Sequence, residues 1–187
     1  DALSSLNSIW VSKAVSLSKA KKVILDIDSS ESPVHGSQEG SAYNGHFEST
    51  CYHPLFCFNN YGDCEGAVLR PGNVHSADGW REFLSPIVDT WHKDLDKKLY
   101  LRGDAAFASP DIYEYLEDNS ILYAIRLKAN NNLHREIDHL MTRPVGRPSR
   151  KPKVFFHDFS YRAGSLLPGW FLEEVPAGDS QGGVAYR

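Results

Sequence analysis

The sequence has few cysteines, a single methionine and no long hydrophobic run. Its three cysteines, Cys51, Cys57 and Cys64, are an odd number, so they describe no disulfide framework and fit a reducing cytoplasm. Their spacings lack the close pairs of a zinc site, so we expect them to act as small, buried apolar side chains. No apolar run approaches the ~20 residues of a membrane-spanning helix, and no signal peptide is visible. These absences argue against disulfide scaffolds, zinc ribbons and membrane-spanning proteins.

An excess of positive charge is also absent. The chain has 20 Lys and Arg against 24 Asp and Glu, a net charge of −4 and a pI of about 6.1, so any contact with nucleic acid must be local. The segment RPVGRPSRKPK holds five basic residues and no acid, and its Gly-Arg-Pro centre resembles the core of an AT-hook. It predicts contacts with DNA phosphates, and a solvated loop is the alternative. The five residues are Arg143, Arg147, Arg150, Lys151 and Lys153.

The order of predicted elements indicates one mixed α/β domain, and 187 residues suffice for a sizeable core. Because the chain opens at Asp1 without a methionine, we expect a fragment or processed product of a longer protein. Periodicity and turn residues predict helices at 3–20, 77–96, 112–119 and 130–141, a long loop at 31–50, and strands at 22–30, 51–61, 66–76, 98–103, 121–129 and 154–162. Three antiparallel strands followed by alternating helices and strands form a mixed sheet, in the element order of the ribonuclease H-like fold. The first helix is expected to be amphipathic through Leu3, Leu6, Ile9, Trp10, Val15 and Leu17.

Two aspartates stand at the ends of two predicted strands. Asp28 closes the run KKVILDID, and Asp104 follows KKLYLRG. Burying a carboxylate at the end of a strand costs free energy unless the carboxylate is paired. Two such carboxylates can share a divalent metal ion. The alternative is that each aspartate caps a loop. Asp26 points to the same face as Asp28 and is a candidate for a hydrogen bond that supports the site. Arg102 is a candidate phosphate contact, with an exposed, unengaged side chain as the alternative.

The loop HGSQEG offers two further candidates for DNA contact. His35 can take part in proton transfer or bind phosphate, and Gln38 can read base edges. The alternative is an ordinary polar surface loop.

Several motifs together resemble the group 1 DDE transposases of bacterial insertion sequences. They are ILDIDSSESPVHGSQEG, YHPLFCF, LRPGN and LYLRGDAAFASPDIYEYLEDNSILYAIRL, and the resemblance spans about residues 3–165. It implies a ribonuclease H-like catalytic core that cuts and rejoins transposon ends with two Mg²⁺ (or Mn²⁺) ions held by Asp, Asp and Glu. Asp28 would be the first acid and Asp104 the second. The resemblance further implies double-stranded DNA at transposon ends as the partner, a homodimer in the full-length protein, and a nucleoid-associated location in the bacterial cytoplasm.

The end of the chain departs from the family. The family's Glu lies on a later helix, and Glu173 and Glu174 sit in a Gly/Pro-rich stretch without helical period, so neither is assigned as the third acid. We expect an N-terminal helical segment at 1–21, a partial catalytic core at 22–165 and an irregular tail at 166–187. One hypothesis for the tail is a frameshift, because one set of codons for PAGDSQGGVAYR gives RRVTAKVEWHTG when read one base later, and this string resembles the family's strand at this point. A divergent native tail and a cloning remnant are the alternatives, and sequencing the gene distinguishes them.

Three functions are compatible with this sequence. The first is a DNA transposase fragment with part of its metal site. The second is an inactive, truncated protein derived from a transposase that binds DNA or a partner, and the third is a stand-alone ribonuclease H-like nuclease. The missing Glu discriminates between the first function and the other two.

Overall fold

The computed structural model describes residues 2–17, 21–93, 97–141 and 146, together with the strands at 155–157, 175–177 and 184–186. Its helices are α1 (Ala2–Leu17), α2 (Trp80–His92), α3 (Pro110–Asp118) and α4 (Asn131–Ile137). Its strands are β1 (Lys22–Ser29), β2 (Ser32–Pro33), β3 (Ala42–Asn44), β4 (Ser49–Tyr52), β5 (Leu55–Asn59), β6 (Cys64–Val68), β7 (Lys98–Gly103), β8 (Leu122–Arg126), β9 (Phe155–His157), β10 (Val175–Ala177) and β11 (Val184–Tyr186). Within these residues no helix is long and apolar enough to cross a membrane.

The largest sheet has the strand order β11–β8–β7–β1–β5–β6. β1, β5 and β6 form an antiparallel meander, and β7 and β8 run parallel to β1 on its other side. β11 is added antiparallel to β8 at the outer edge. Five neighbouring strands, in the order β6–β5–β1–β7–β8, therefore form the mixed sheet of a ribonuclease H-like core, as the order of elements predicts.

Alternation along the central strands sends apolar side chains to one face of the sheet. Val23, Leu25 and Ile27 of β1 are buried, as are Leu99 and Leu101 of β7. Burial of each such side chain contributes about 2 kcal/mol. The same core cluster includes the buried side chains of α2 and α3, which are Leu84, Ile87, Val88, Trp91, Ile112, Tyr113 and Leu116. Even-numbered residues of β1 and β7 consequently point away from this core.

The region between β1 and α2 differs from its prediction. The expected loop at 31–50 contains β2, β3 and the start of β4, which form a separate sheet in the order β2–β4–β3. The expected strand at 51–61 is two strands, because Pro54 has no N–H for a ladder. The next strand begins at Cys64 and ends at Val68, whereas the expected one spans 66–76. The hairpin between β5 and β6 turns at Gly62, which has a φ of 91°, as predicted.

Helix α1 packs through one residue of its expected apolar face, Val15, and through Val11, which that face does not include. Val11 and Val15 are buried, whereas Leu3, Leu6, Ile9, Trp10 and Leu17 are exposed. Apolar residues occur around most of this helix, so periodicity alone does not identify the packed side. The side-chain amide of Asn7 donates to the backbone carbonyls of Cys64, at 2.8 Å, and Glu65, at 3.4 Å. Helix α1 therefore lies against the edge strand β6.

A buried arginine and a glycine fix the segment that follows β6. Arg70 is 8% exposed and donates from Nε to the carbonyl of His53, at 2.9 Å, and from Nη1 to the carbonyl of Asp78, at 2.6 Å. Loss of solvation lowers the pKa of this guanidinium. Gly72 accepts a hydrogen bond at its carbonyl from the side-chain amide of Asn44, at 2.6 Å. The LRPGN motif thus joins β6 to the small sheet and to the start of α2.

The cysteines behave largely as the sequence predicts. Cys51 and Cys57 are buried, Cys64 is half-buried, and all three are free thiols. Burial raises the pKa of the Cys57 thiol, which keeps it protonated and unreactive at neutral pH.

Glu65 is a buried carboxylic acid in β6. Its side chain is 5% exposed and accepts a hydrogen bond from Nδ2 of Asn59, at 2.8 Å. Burial raises the pKa of Glu65 above its ordinary value of 4.5, although the hydrogen bond from Asn59 opposes this shift. Because the folded state favours the neutral acid, the stability that Glu65 contributes is complete below about pH 4.5 and is lost as the pH rises through the raised pKa.

We therefore expect Glu65→Gln to stabilise the protein in a pH-dependent manner. The glutamine does not ionise, and its carbonyl can still accept the hydrogen bond from Asn59. Urea unfolding should give parent and variant equal free energies near pH 4 and a more stable variant at pH 7. Glu39→Gln, at an exposed position, is the control and should show no such divergence. A Glu65→Gln protein that is less stable than the parent at pH 7 would contradict this expectation.

Candidate active site

The two predicted acids follow adjacent strands. In the parallel pair of β1 and β7 the last paired residues are Ile27 and Gly103, and the next residues along the two strands are Asp28 and Asp104. Neighbouring strands lie about 4.8 Å apart. Both carboxylates are exposed, on the side of the sheet that faces away from the helical core. The expectation that Asp28 and Asp104 come from neighbouring strands agrees with this topology.

Each carboxylate has one oxygen engaged by the backbone. Oδ1 of Asp28 accepts from the N–H of Ser29, at 2.8 Å, and Oδ1 of Asp104 accepts from the N–H of Ala106, at 2.9 Å. Asp104 thereby caps the short 3-10 turn Ala105–Phe107. The loop-capping alternative therefore describes one oxygen of Asp104, whereas Oδ1 of Asp28 accepts from the N–H of the adjacent residue. The second oxygen of each accepts no hydrogen bond from the part of the chain that the structure describes.

A bidentate ion pair lies directly beside the acids. Asp26 and Arg102 are paired in the same register, two residues before Asp28 and Asp104. Nε of Arg102 donates to Oδ1 of Asp26, at 2.5 Å, and Nη2 donates to Oδ2, at 2.6 Å. The side chains are 55% exposed for Arg102 and 38% exposed for Asp26. Arg102 is therefore engaged by a carboxylate, a partner that the sequence does not reveal because no local pattern encodes the register between two distant strands.

Aromatic rings flank the acids on their other side. In the antiparallel pair of β1 and β5, Phe56 lies opposite Asp28 and Phe58 lies opposite Asp26. The two rings have centroids 6.1 Å apart, and Phe58 is 42% exposed. The alternation in LFCFN, with Leu55 and Cys57 buried, is the sequence signal that could have identified this face.

The predicted DNA-contacting loop follows β2. His35 and Gln38 are both exposed there. The backbone carbonyl of Gln38 accepts from the N–H of Ser41, at 3.2 Å, and from its Oγ, at 2.7 Å, which closes the turn. These contacts fix the loop's backbone and leave the role of the two side chains a prediction. The five basic residues at 143–153 lie outside the described residues.

The acids stand on an open surface. A groove of about 1510 Å³ runs between α1, β6 and α2, and its lining includes Glu65 and Arg70 but neither Asp28 nor Asp104. Among the described residues no group of three or more His, Cys, Asp and Glu side chains converges on a point where a metal could bind. The described part of the chain thus presents two adjacent carboxylates on an exposed sheet surface.

The family model for the transposase DDE domain, group 1, matches residues 1–173. The chain belongs to the group 1 DDE transposases. A search of curated proteins found no match.

Among solved structures, this DDE transposase domain is similar to the cryo-EM structure of the piggyBac transposase synaptic complex with hairpin DNA. The two share 16% sequence identity with a TM-score of 0.38, over 84% of this chain and 34% of that chain. The DDE domain described here thus spans about one third of the length of that transposase.

Proposed function

We propose that this DDE domain is the catalytic part of a DNA transposase, in which Asp28 and Asp104 hold divalent metal ions that cleave and rejoin transposon ends. The observation that carries the proposal is the register of β1 and β7, which brings these two acids next to each other at the ends of adjacent parallel strands. The substrate would be double-stranded DNA, and the full-length protein would act as a homodimer in the bacterial cytoplasm.

The donor set fits Mg²⁺ or Mn²⁺. Both ions prefer oxygen ligands, and Mg²⁺ is commonly bound by one or two carboxylates together with water and phosphate oxygens. The N–H groups of Ser29 and Ala106 each hold one oxygen of an acid, and the other oxygen of each accepts no hydrogen bond from the described residues. When bound, the metal supplies Lewis-acid stabilisation of the attacking and leaving oxygens of a phosphodiester. An open surface, in contrast to a closed pocket, admits a duplex of DNA.

Among the described residues no third acid joins Asp28 and Asp104. The family's Glu is not assigned to Glu173 or Glu174, which lie outside the described residues, and the described residues hold no converging group of three ligands. Two carboxylates balance the charge of two metals and a phosphate poorly. We expect little strand transfer by the isolated chain, and a complete lack of Mg²⁺-dependent strand transfer would favour the second candidate function, an inactive DNA-binding protein derived from a transposase.

Crystals of the chain soaked in Mn²⁺ test the proposed metal site. The expected result is anomalous density for an ion in contact with both Asp28 and Asp104. Carboxylates that bind no ion, or an ion bound elsewhere, would reject the proposed function.

We propose that DNA binding depends on the basic segment 143–153, with further contacts from His35 and Gln38. Replacing Arg143, Arg147, Arg150, Lys151 and Lys153 with alanine should weaken binding to all duplex sequences alike. Each lost phosphate contact flattens the slope of log K against log salt by roughly 0.9. Fluorescence anisotropy with a labelled duplex at several salt concentrations measures this slope, and His35→Ala with Gln38→Ala is the comparison variant. If the five-alanine variant matches the parent at every salt concentration, the segment is a solvated linker.

A further inference from the structure

The ion pair of Asp26 and Arg102 brings a cation close to two proposed metal ligands. Residues two apart on a strand are about 6.6 Å apart along it and point to the same face. Arg102 therefore lies one such step from Asp104 on its own strand and diagonally across from Asp28. All four side chains are on the surface that faces away from the core, where a long arginine side chain can change its direction.

A guanidinium in this position competes with a metal ion. Arginine binds carboxylates through N–H···O bonds, so the second oxygens of Asp28 and Asp104, which accept no hydrogen bond from the described residues, are suitable alternative acceptors. An arginine seated on those oxygens would have to be displaced before a divalent ion could bind. In the structure the guanidinium of Arg102 instead donates to Asp26, and both carboxylate oxygens of Asp26 accept from it.

We propose that Asp26 is a positioning residue that holds Arg102 away from the metal-binding oxygens of Asp28 and Asp104. This inference rests on the proposed function, because it concerns access of a metal to the same two acids. It gives Asp26 a role different from that of a ligand: both of its oxygens accept from Arg102, whereas Asp28 and Asp104 each keep one oxygen without a hydrogen bond from the described residues. The ion pair contributes little to stability, since exposed pairs are worth about 0–1 kcal/mol.

The test is Mn²⁺ binding by the whole chain, with free Mn²⁺ counted by electron paramagnetic resonance. Asp26→Asn should weaken binding about fivefold, because a guanidinium that Asp26 no longer holds can compete for the two acids. Asp26→Asn combined with Arg102→Gln should return to within about twofold of the parent, because the competitor is gone. Asp89→Asn makes the same change in net charge at an exposed position on α2 and should leave the affinity unchanged.

Charge alone would give a similar pattern, so a lysine variant separates the two explanations. Asp26→Asn combined with Arg102→Lys keeps the positive charge but loses the bidentate fork. Recovery of most of the affinity in this variant supports competition by the guanidinium, whereas an affinity as low as that of Asp26→Asn alone overturns it. A crystal structure of metal-free Asp26→Asn should show Arg102 hydrogen-bonded to Asp28 or Asp104, and a guanidinium that stays in its present place would also overturn the inference.

Failure of the inference is distinguishable from failure of the proposed function. If the parent binds no more Mn²⁺ than a variant with Asp28→Asn and Asp104→Asn, the metal site itself is absent, and both proposals fall. If the parent binds Mn²⁺ through these acids and Asp26→Asn binds it equally well, only the role of Asp26 is rejected. Thermal unfolding checks that each variant is folded. We expect the substitutions at Asp26 and Arg102 to preserve the fold, because both side chains are partly exposed.

Discussion

Replacing Asp28 and Asp104 together with asparagine is expected to abolish saturable Mn²⁺ binding, with a loss of affinity of more than tenfold. A neutral amide oxygen is a poor ligand for a divalent ion compared with a carboxylate. Asparagine keeps an oxygen that can accept from the N–H of Ser29 and of Ala106, so the local backbone should be retained. Titration followed by electron paramagnetic resonance measures the loss, and circular dichroism confirms that the variant is folded.

The metal-free stability of this double variant gives an independent signature. Like charges on directly neighbouring strand positions destabilise a sheet by about 0.2–1 kcal/mol, so the variant should be as stable as the parent or slightly more stable in urea. Asp89→Asn with Asp111→Asn removes two exposed carboxylates elsewhere and should bind Mn²⁺ as the parent does. Unchanged Mn²⁺ binding in the Asp28 and Asp104 variant would mean that the acids only cap loops.

Gly72→Ala is expected to destabilise the fold by about 3 kcal/mol. A Cβ at this buried position would lie 2.4 Å from the carbonyl oxygen of Ala42, 2.5 Å from that of Cys51 and 2.8 Å from the sulfur of Cys51. Two of these atoms belong to the paired backbones of β3 and β4, which cannot move aside as a flexible side chain can. Urea unfolding at 25 °C measures the change in the free energy of unfolding.

Gly45→Ala is the matched control for this glycine. A Cβ at Gly45 would meet no atom within 4 Å, so the substitution should change the free energy of unfolding by less than about 0.5 kcal/mol. If the free energy of unfolding of Gly72→Ala lies within about 1 kcal/mol of that of Gly45→Ala, the backbone of the small sheet can shift to accommodate the added methyl group, and the close approach at Gly72 is not required.

The adjacency of the acids could be predicted because it depends on local signals. The runs that end at Asp28 and Asp104 are short and apolar, and the buried alternation of Val23, Leu25 and Ile27 shows why they form central strands. The order of elements then leaves few topologies in which β1 and β7, the strand that follows α2, are not neighbours. The cap of α4 was predictable for the same reason, since Oδ1 of Asn130 accepts from the two N–H groups that follow it in the first turn.

The features that could not be predicted depend on contacts between distant residues. The ion pair of Asp26 and Arg102 joins side chains 76 positions apart and requires a register that no local pattern encodes. The small sheet consists of strands of two to four residues, too short for a period to be recognised. The packed side of α1 is determined by its contacts with β6 and α2. Because apolar residues occur around most of this helix, its sequence does not indicate which side is buried.

The hydrogen bonds from Asn7 have a consequence for the behaviour of the chain at high concentration. β6 is the last strand of the central sheet, and an outer strand with open backbone groups invites pairing with another molecule. Asn7 occupies the carbonyls of Cys64 and Glu65, so helix α1 blocks part of that edge. Helix α1 thereby limits edge-to-edge association through β6. A chain that begins after residue 21 would expose this edge strand, and we expect it to aggregate more readily.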